Sequence, residues 1–259
     1  MNLTPASTSS FFSEGFFGYG QKGDFELFTL AHFIPVFALI ISILILYIYK
    51  DSIRKSKYEN TIRSIIAITG LLSEFAFFWR VLYTGGGGKP YEQIALTALP
   101  IQVCDWTSIF TSIMMLNNNE RLFQGCFYVA LILGIIPIIS PSVISTTGPS
   151  YFRYYQFWIN HMISIISVFY MIFIQKMKPK KIGLVYATSF NLALGLLAAY
   201  ANNIIPTATF MYLNTDLSFA YYLPKNQFVR LLIMAILFII VGLIEYKLFY
   251  IIDKTKKDD

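Results

Sequence analysis

Apolar residues run along the chain in seven blocks, at roughly 27–49, 62–83, 94–116, 122–139, 156–174, 182–204 and 228–250. Each block is close to the roughly 20 residues a helix needs to cross the hydrocarbon core of a bilayer. The pattern predicts an all-α, polytopic membrane protein with seven transmembrane helices. The fourth block is the weakest, because Pro137 and Pro141 crowd its end. The sixth is the most polar, with Ser189, Asn191, Asn202 and Asn203. The blocks use most of the 259 residues, which points to a single membrane domain over 1–259 with no extramembrane catalytic domain.

Basic residues fix the expected orientation. Lys50, Arg54, Lys55, Lys57 and Arg63 follow the first block, and Arg121 follows the third. Lys176, Lys178, Lys180 and Lys181 follow the fifth, and Lys247, Lys254, Lys256 and Lys257 close the chain. The opposite side holds fewer: Lys22, Arg80, Lys89, Arg153, Lys225 and Arg230. The excess of lysine and arginine marks the cytoplasmic side. The N-terminus is therefore expected outside and the C-terminus in the cytoplasm, which an odd number of spans requires. The aromatic segment 11–20 and the aromatics of 205–227 are expected at the outer interface, where such rings settle at headgroup level.

Composition supports the same class. The chain is 56% hydrophobic and only 13% charged, against about 25% charged in soluble domains. The net charge of +6 reads as a topology signal, so no nucleic acid partner is expected; the partners are membrane lipids. There is no basic n-region ahead of an apolar stretch, so no cleavable signal peptide is expected. Two cysteines, Cys104 and Cys126, with no CxxC spacing, imply neither a disulfide framework nor a zinc site. No cofactor is expected.

Ionisable residues inside a span are costly and usually face a bundle interior or a cavity. Here they are His32, Glu74, Arg80, Asp105 and His161. At 1.5 Å per helical residue they lie about 8–15 Å below the outer ends of their blocks, with Arg80 nearer the surface. Cys104 and Asn203 fall in the same outer half. Polar stripes at helical spacing join them: Cys104, Ser108 and Thr111; Asn160, Ser164 and Ser167; Asn191, Gly195, Ala198 and Asn202. Such stripes also suit close packing of membrane helices. Packing does not require charge, so the ionisable set predicts a polar cavity in the outer half, built mainly from the second, third, fifth and sixth spans.

In that outer half, Cys104 and His161 are the candidates for nucleophilic acyl transfer; the structural alternatives are an ordinary buried cysteine and a histidine satisfied by an interhelical hydrogen bond. A thiolate attacks acyl carbons, and an imidazole takes its proton or protonates a leaving group. Asp105 or Glu74 would orient the imidazole, and Arg80 would hold a phosphate. Ser108 and Asn160 would support an oxyanion. Cys126, near the inner end of its span, reads as structural.

The stretches FELFTLAHF at 25–33, LPIQVCDW at 99–106, FRYYQFWINHMISIISVFYMIF at 152–173 and ANNIIPTATFMYL at 201–213 resemble the YwaF-like integral membrane proteins of low-GC bacteria. That family usually reads LPLHLC where this chain has Gln102 before the cysteine, and an asparagine where it has Thr209. The family is in turn similar to a eukaryotic membrane acyltransferase group acting on ether phospholipids. That likeness implies a nucleophile at Cys104, a base at His161 and a bacterial plasma membrane location.

The function these readings lead to is a membrane-embedded, lipid-directed acyltransferase, with an outer-leaflet lipid or cell-envelope polymer as acceptor. Gln102, Arg80, Ser108, Asn160, His32 and Asn203 are expected to contact substrate. The alternative is a non-enzymatic carrier or receptor for a small polar or lipidic ligand. Charges are missing from the inner halves of several spans and no inverted repeat is present, so a complete permeation route is not visible. Retinal binding is excluded, because the middle of the last span around Ile239 and Ile240 has no lysine.

Overall fold

The computed structural model describes residues 15–18, 24–83, 99–141, 147–205, 208–215 and 221–255. Among these, regular structure is helical: α1 Leu30–Ile48, α2 Lys50–Lys55, α3 Glu59–Tyr83, α4 Val103–Asn117, α5 Glu120–Ile139, α6 Phe152–Phe173, α7 Lys181–Ile204, a 3-10 turn Phe210–Tyr212, and α8 Gln227–Thr255. Six of them (α1, α3, α5, α6, α7 and α8) are long and apolar enough to cross a membrane. The third expected span is not among the six. Residues 94–98 of that block lie outside the described residues, and Leu99–Gln102 precede the helix. α4 itself has 15 residues, or about 22 Å of rise. Among the described residues six helices thus qualify by length and composition.

α6 is the centre, packed against α1, α3, α4 and α5. α5 also packs on α4 and α7, and α8 lies against α7 at the periphery. The outer helices keep apolar side chains exposed, including Phe37, Ile41 and Leu44 on α1 and Leu232, Ile236 and Ile240 on α8. An apolar surface of this extent is unusual for a protein in water and suits lipid. Close helix contact needs small residues. A Cβ on Gly70 of α3 would stand 2.5 Å from the Ser112 hydroxyl of α4, and one on Gly195 of α7 would stand 2.3 Å from Leu231 of α8.

The two ends of the bundle differ in chemistry. At one end Arg54 donates to the Ile174 carbonyl at 2.9 Å, and Arg63 donates to the Met115 and Leu116 carbonyls. Lys178 pairs with Asp253 at 2.6 Å and Lys180 with Glu120 at 2.7 Å. Cationic side chains there cap the free C-terminal carbonyls of α4 and α6. The basic connections of the sequence therefore meet at a single end. At the opposite end Arg80 donates to the carbonyls of Phe17 (3.0 Å) and Gly18 (2.6 Å), and Phe152 N–H donates to Phe16. Part of the aromatic N-terminal segment is thereby docked on α3 and α6.

Candidate functional site

Near the Arg80 end the helices enclose a cavity of about 340 Å³. Cys104, Asp105, Gln102, Arg153 and His161 line it. Most of the remaining wall is apolar, from Leu133, Ile136 and Pro137 of α5, Leu192 of α7, and Leu231, Met234 and Phe238 of α8. Among the described residues α3 contributes only Phe77. The wall therefore draws on α5 and α8, which polar spacing alone did not indicate.

Cys104 and Asp105 sit in the first turn of α4 because Asp105 closes it. The Asp105 carboxylate accepts the Gln102 backbone N–H at 3.1 Å, the reach-back of a capping residue at the third helical position. Its second oxygen accepts the Cys104 thiol at 3.7 Å. The positive end of the helix dipole favours negative charge at this turn. Gln102 also ties this turn to the segment across the cavity: its side-chain oxygen accepts the Met211 N–H at 2.9 Å.

His161 Nδ1 lies 2.8 Å from the Phe157 carbonyl. A carbonyl only accepts, so Nδ1 carries the proton and, in the neutral ring, Nε2 holds the lone pair. Nε2 has no partner among the described residues. His161 and Cys104 share a second, smaller space of about 10 Å³ with Thr107, Asn160 and Ser164. The two are neighbours with no hydrogen bond between them; the thiol is bonded to Asp105.

The other expected site residues lie elsewhere. Glu74 does not line the cavity; it accepts Asn160 Nδ2 at 2.9 Å. Asn160 therefore reaches the small space with only its Oδ1 unpaired. Ser108 is fully buried and donates to the Gly70 carbonyl at 3.3 Å in the α3–α4 seam. Arg80 is engaged with the N-terminal segment. His32 accepts the Phe28 N–H on Nδ1 and donates from Nε2 to the Ile138 carbonyl at 3.0 Å, so both ring nitrogens are occupied. It pins the turn after Pro137 of α5. Asn203 is exposed and accepts from Gln227 at 3.1 Å. Its neighbour Asn202 is the buried one.

A short segment closes one wall. Phe210, Met211 and Tyr212 line the cavity, and Met211 (φ 53°) and Tyr212 (φ 57°) are both left-handed. Non-glycine residues rarely adopt that conformation, and it persists only when surroundings enforce it. Asn202 supplies both bonds of a clamp, accepting Phe210 N–H at 2.8 Å and donating to its carbonyl at 3.0 Å. Gln102 holds Met211. Arg230, buried in α8, donates to the carbonyls of Tyr212 (2.7 Å), Thr215 (2.5 Å) and Pro224 (2.9 Å). Thr188 Oγ1 and both amide atoms of Asn191, cavity-lining residues on α7, have no partner among the described residues.

Arg153 and the 210–212 segment are the functional candidates that spacing missed. The fifth apolar block begins at 156 and leaves Arg153 in a connection, whereas α6 begins at Phe152. The signal was present: 153, 157 and 161 share one helical face. In comparisons with known proteins, the TMEM164 family matches residues 27–245. No curated protein and no solved structure matches.

Proposed function

This chain belongs to the TMEM164 family of membrane proteins, and from that premise we propose that it is a lipid-directed acyltransferase of the plasma membrane. The family match carries no YwaF-specific signal, so the narrower bacterial kinship stays part of the proposal. So do seven spans with the N-terminus outside. One observation supports the enzymatic reading above the rest: a thiol, a carboxylate and an imidazole with a free Nε2 line one largely apolar cavity.

In the proposed reaction the Cys104 thiol passes its proton to His161 Nε2 as sulfur attacks the carbonyl carbon of an acyl ester. The tetrahedral oxyanion forms beside the Val103 and Cys104 N–H groups at the start of α4, positions of a helix that lack intrahelical partners; the Asp105 N–H already donates to Gln102. The Ser108 and Asn160 donors already have partners and are not assigned that role. Collapse breaks the ester C–O bond, and the imidazolium returns the proton to the leaving alkoxide. A second alcohol then gives its proton to His161, attacks the thioester, and releases the thiol. Asp105 orients the thiol, and Glu74 acts at one remove by fixing Asn160.

A second reading, a carrier or receptor, draws on one specific observation: the thiol bonds Asp105 and not His161. The test is acyl transfer in proteoliposomes from a radiolabelled phospholipid to a lysophospholipid. The wild type should transfer label, and Cys104→Ala and His161→Ala should each lose at least about 100-fold, the usual scale of nucleophile and general-base deletions. Undiminished transfer in Cys104→Ala would contradict the enzyme mechanism and leave the binder.

A further inference from the structure

Arg153 is a cation that the mechanism above does not use. It stands in the first turn of α6 and lines the same cavity as Cys104, Asp105 and His161. It donates from Nη1 to the Gln156 side-chain oxygen. The cation lies 4.2 Å from the centroid of the Phe77 ring and 5.8 Å from that of Phe157. Among the described residues no carboxylate comes within ion-pair distance, although Asp105 shares the cavity. A guanidinium has five N–H donors and keeps its charge. Half-buried and set among aromatic faces with one acceptor, it is under-coordinated by protein groups, and partial withdrawal of charge from water favours an opposite charge that completes it. Cation–π contact returns only part of that.

The ligand that completes it must be an oxyanion, and the planar fork suits phosphate or carboxylate. The rest of the cavity decides between them. A free fatty acid offers its carboxylate but no ester for Cys104. A glycerophospholipid carries an ester carbonyl and a phosphate on one molecule, with chains for the apolar wall. Helix register agrees: His161 lies about 12 Å further along α6 than Arg153. The guanidinium thus sits toward the helix end and the imidazole deeper.

We propose that Arg153 is the phosphate-reading residue of the cavity, holding the phosphodiester oxyanion of a glycerophospholipid while its acyl part lies against Leu231, Met234 and Phe238. The assignment rests on the reading of the cavity as a lipid site, but binding tests it apart from catalysis. The experiment is native mass spectrometry of the full chain in neutral detergent, titrated with 1-palmitoyl-lysophosphatidylcholine and, separately, with monopalmitoylglycerol. The wild type should bind the phosphate lipid at least about tenfold more tightly. Arg153→Gln should bring the two to within about twofold by weakening the phosphate lipid alone, and Arg153→Lys, which keeps charge but loses the fork, should fall between.

Equal binding of both lipids by the wild type, or a preference that survives in folded Arg153→Gln, would overturn the assignment. If Arg153→Gln does not fold, the wild type and Arg153→Lys carry the test. Millimolar inorganic phosphate that abolishes the preference would overturn the lipid source in favour of a free anion. A wild type that transfers acyl groups without discriminating the two lipids sinks this role and leaves the enzyme. One that discriminates without transferring sinks the enzyme and leaves this role.

Discussion

The chain has two histidines, and their hydrogen bonds separate them. His32 uses both nitrogens, one on Phe28 and one on Ile138, in a nest of aromatic rings. His161 uses only Nδ1. Sequence depth placed both in one polar layer and could not tell them apart, because the distinction lies in the partner of each nitrogen. Opposite effects of mutation follow. His32→Ala leaves the Ile138 carbonyl and the Phe28 N–H unpaired, and should cost about 1–3 kcal/mol of stability. Thermal unfolding in detergent should fall accordingly, while the folded fraction keeps its transfer activity. His161→Ala should instead abolish transfer with a smaller thermal shift. A large loss of activity in folded His32→Ala, with stability unchanged, would contradict the division.

At the scale of elements, the segment 210–212 carries the clearest consequence. Two left-handed residues are held over the cavity by Asn202, Gln102 and Arg230. Asn202→Ala removes both bonds to Phe210. The segment should then release more often and expose Cys104. Alkylation of Cys104 by N-ethylmaleimide should accelerate by roughly tenfold, the scale of one or two lost hydrogen bonds. An unchanged rate would show that the segment does not limit access. The sequence made Asn202 visible as one of a polar stripe, but not its role, because a loop's clamp depends on where the loop returns. Helix limits were legible to within a few residues for most blocks. The exceptions mattered most: α4 starts at Val103, where the Asp105 cap sets it, and α6 starts early enough to carry Arg153 inward.

At the scale of the whole molecule, apolar block length and the lysine and arginine pattern made the membrane class readable before any coordinates. The basic connections at 50–63, 117–121 and 175–181 do converge on one end, where Arg54 and Arg63 cap helix carbonyls and Lys180 pairs with Glu120. Which face of the membrane that end meets is a separate prediction. An impermeant thiol reagent should label single cysteines introduced at 85–93, 142–152 and 214–226 from outside intact cells, and leave 51–60 and 176–181 unlabelled. Labelling of 176–181 from outside would reverse the orientation. The apolar walls of the cavity from α5 and α8 were not legible. A search for polar residues passes over them, yet they are the feature that suits the cavity to the lipid proposed for it.

The central claim is that Cys104 carries the acyl group between donor and acceptor. Intact-protein mass spectrometry of the purified chain, incubated with a defined phospholipid and no acceptor, reads this directly. The expected result is a mass increment of one acyl chain that hydroxylamine removes, that Cys104→Ala lacks, and that Cys126→Ala retains, since Cys126 is buried in the core away from the cavity. An adduct that persists in Cys104→Ala, or full transfer by that variant, would contradict it.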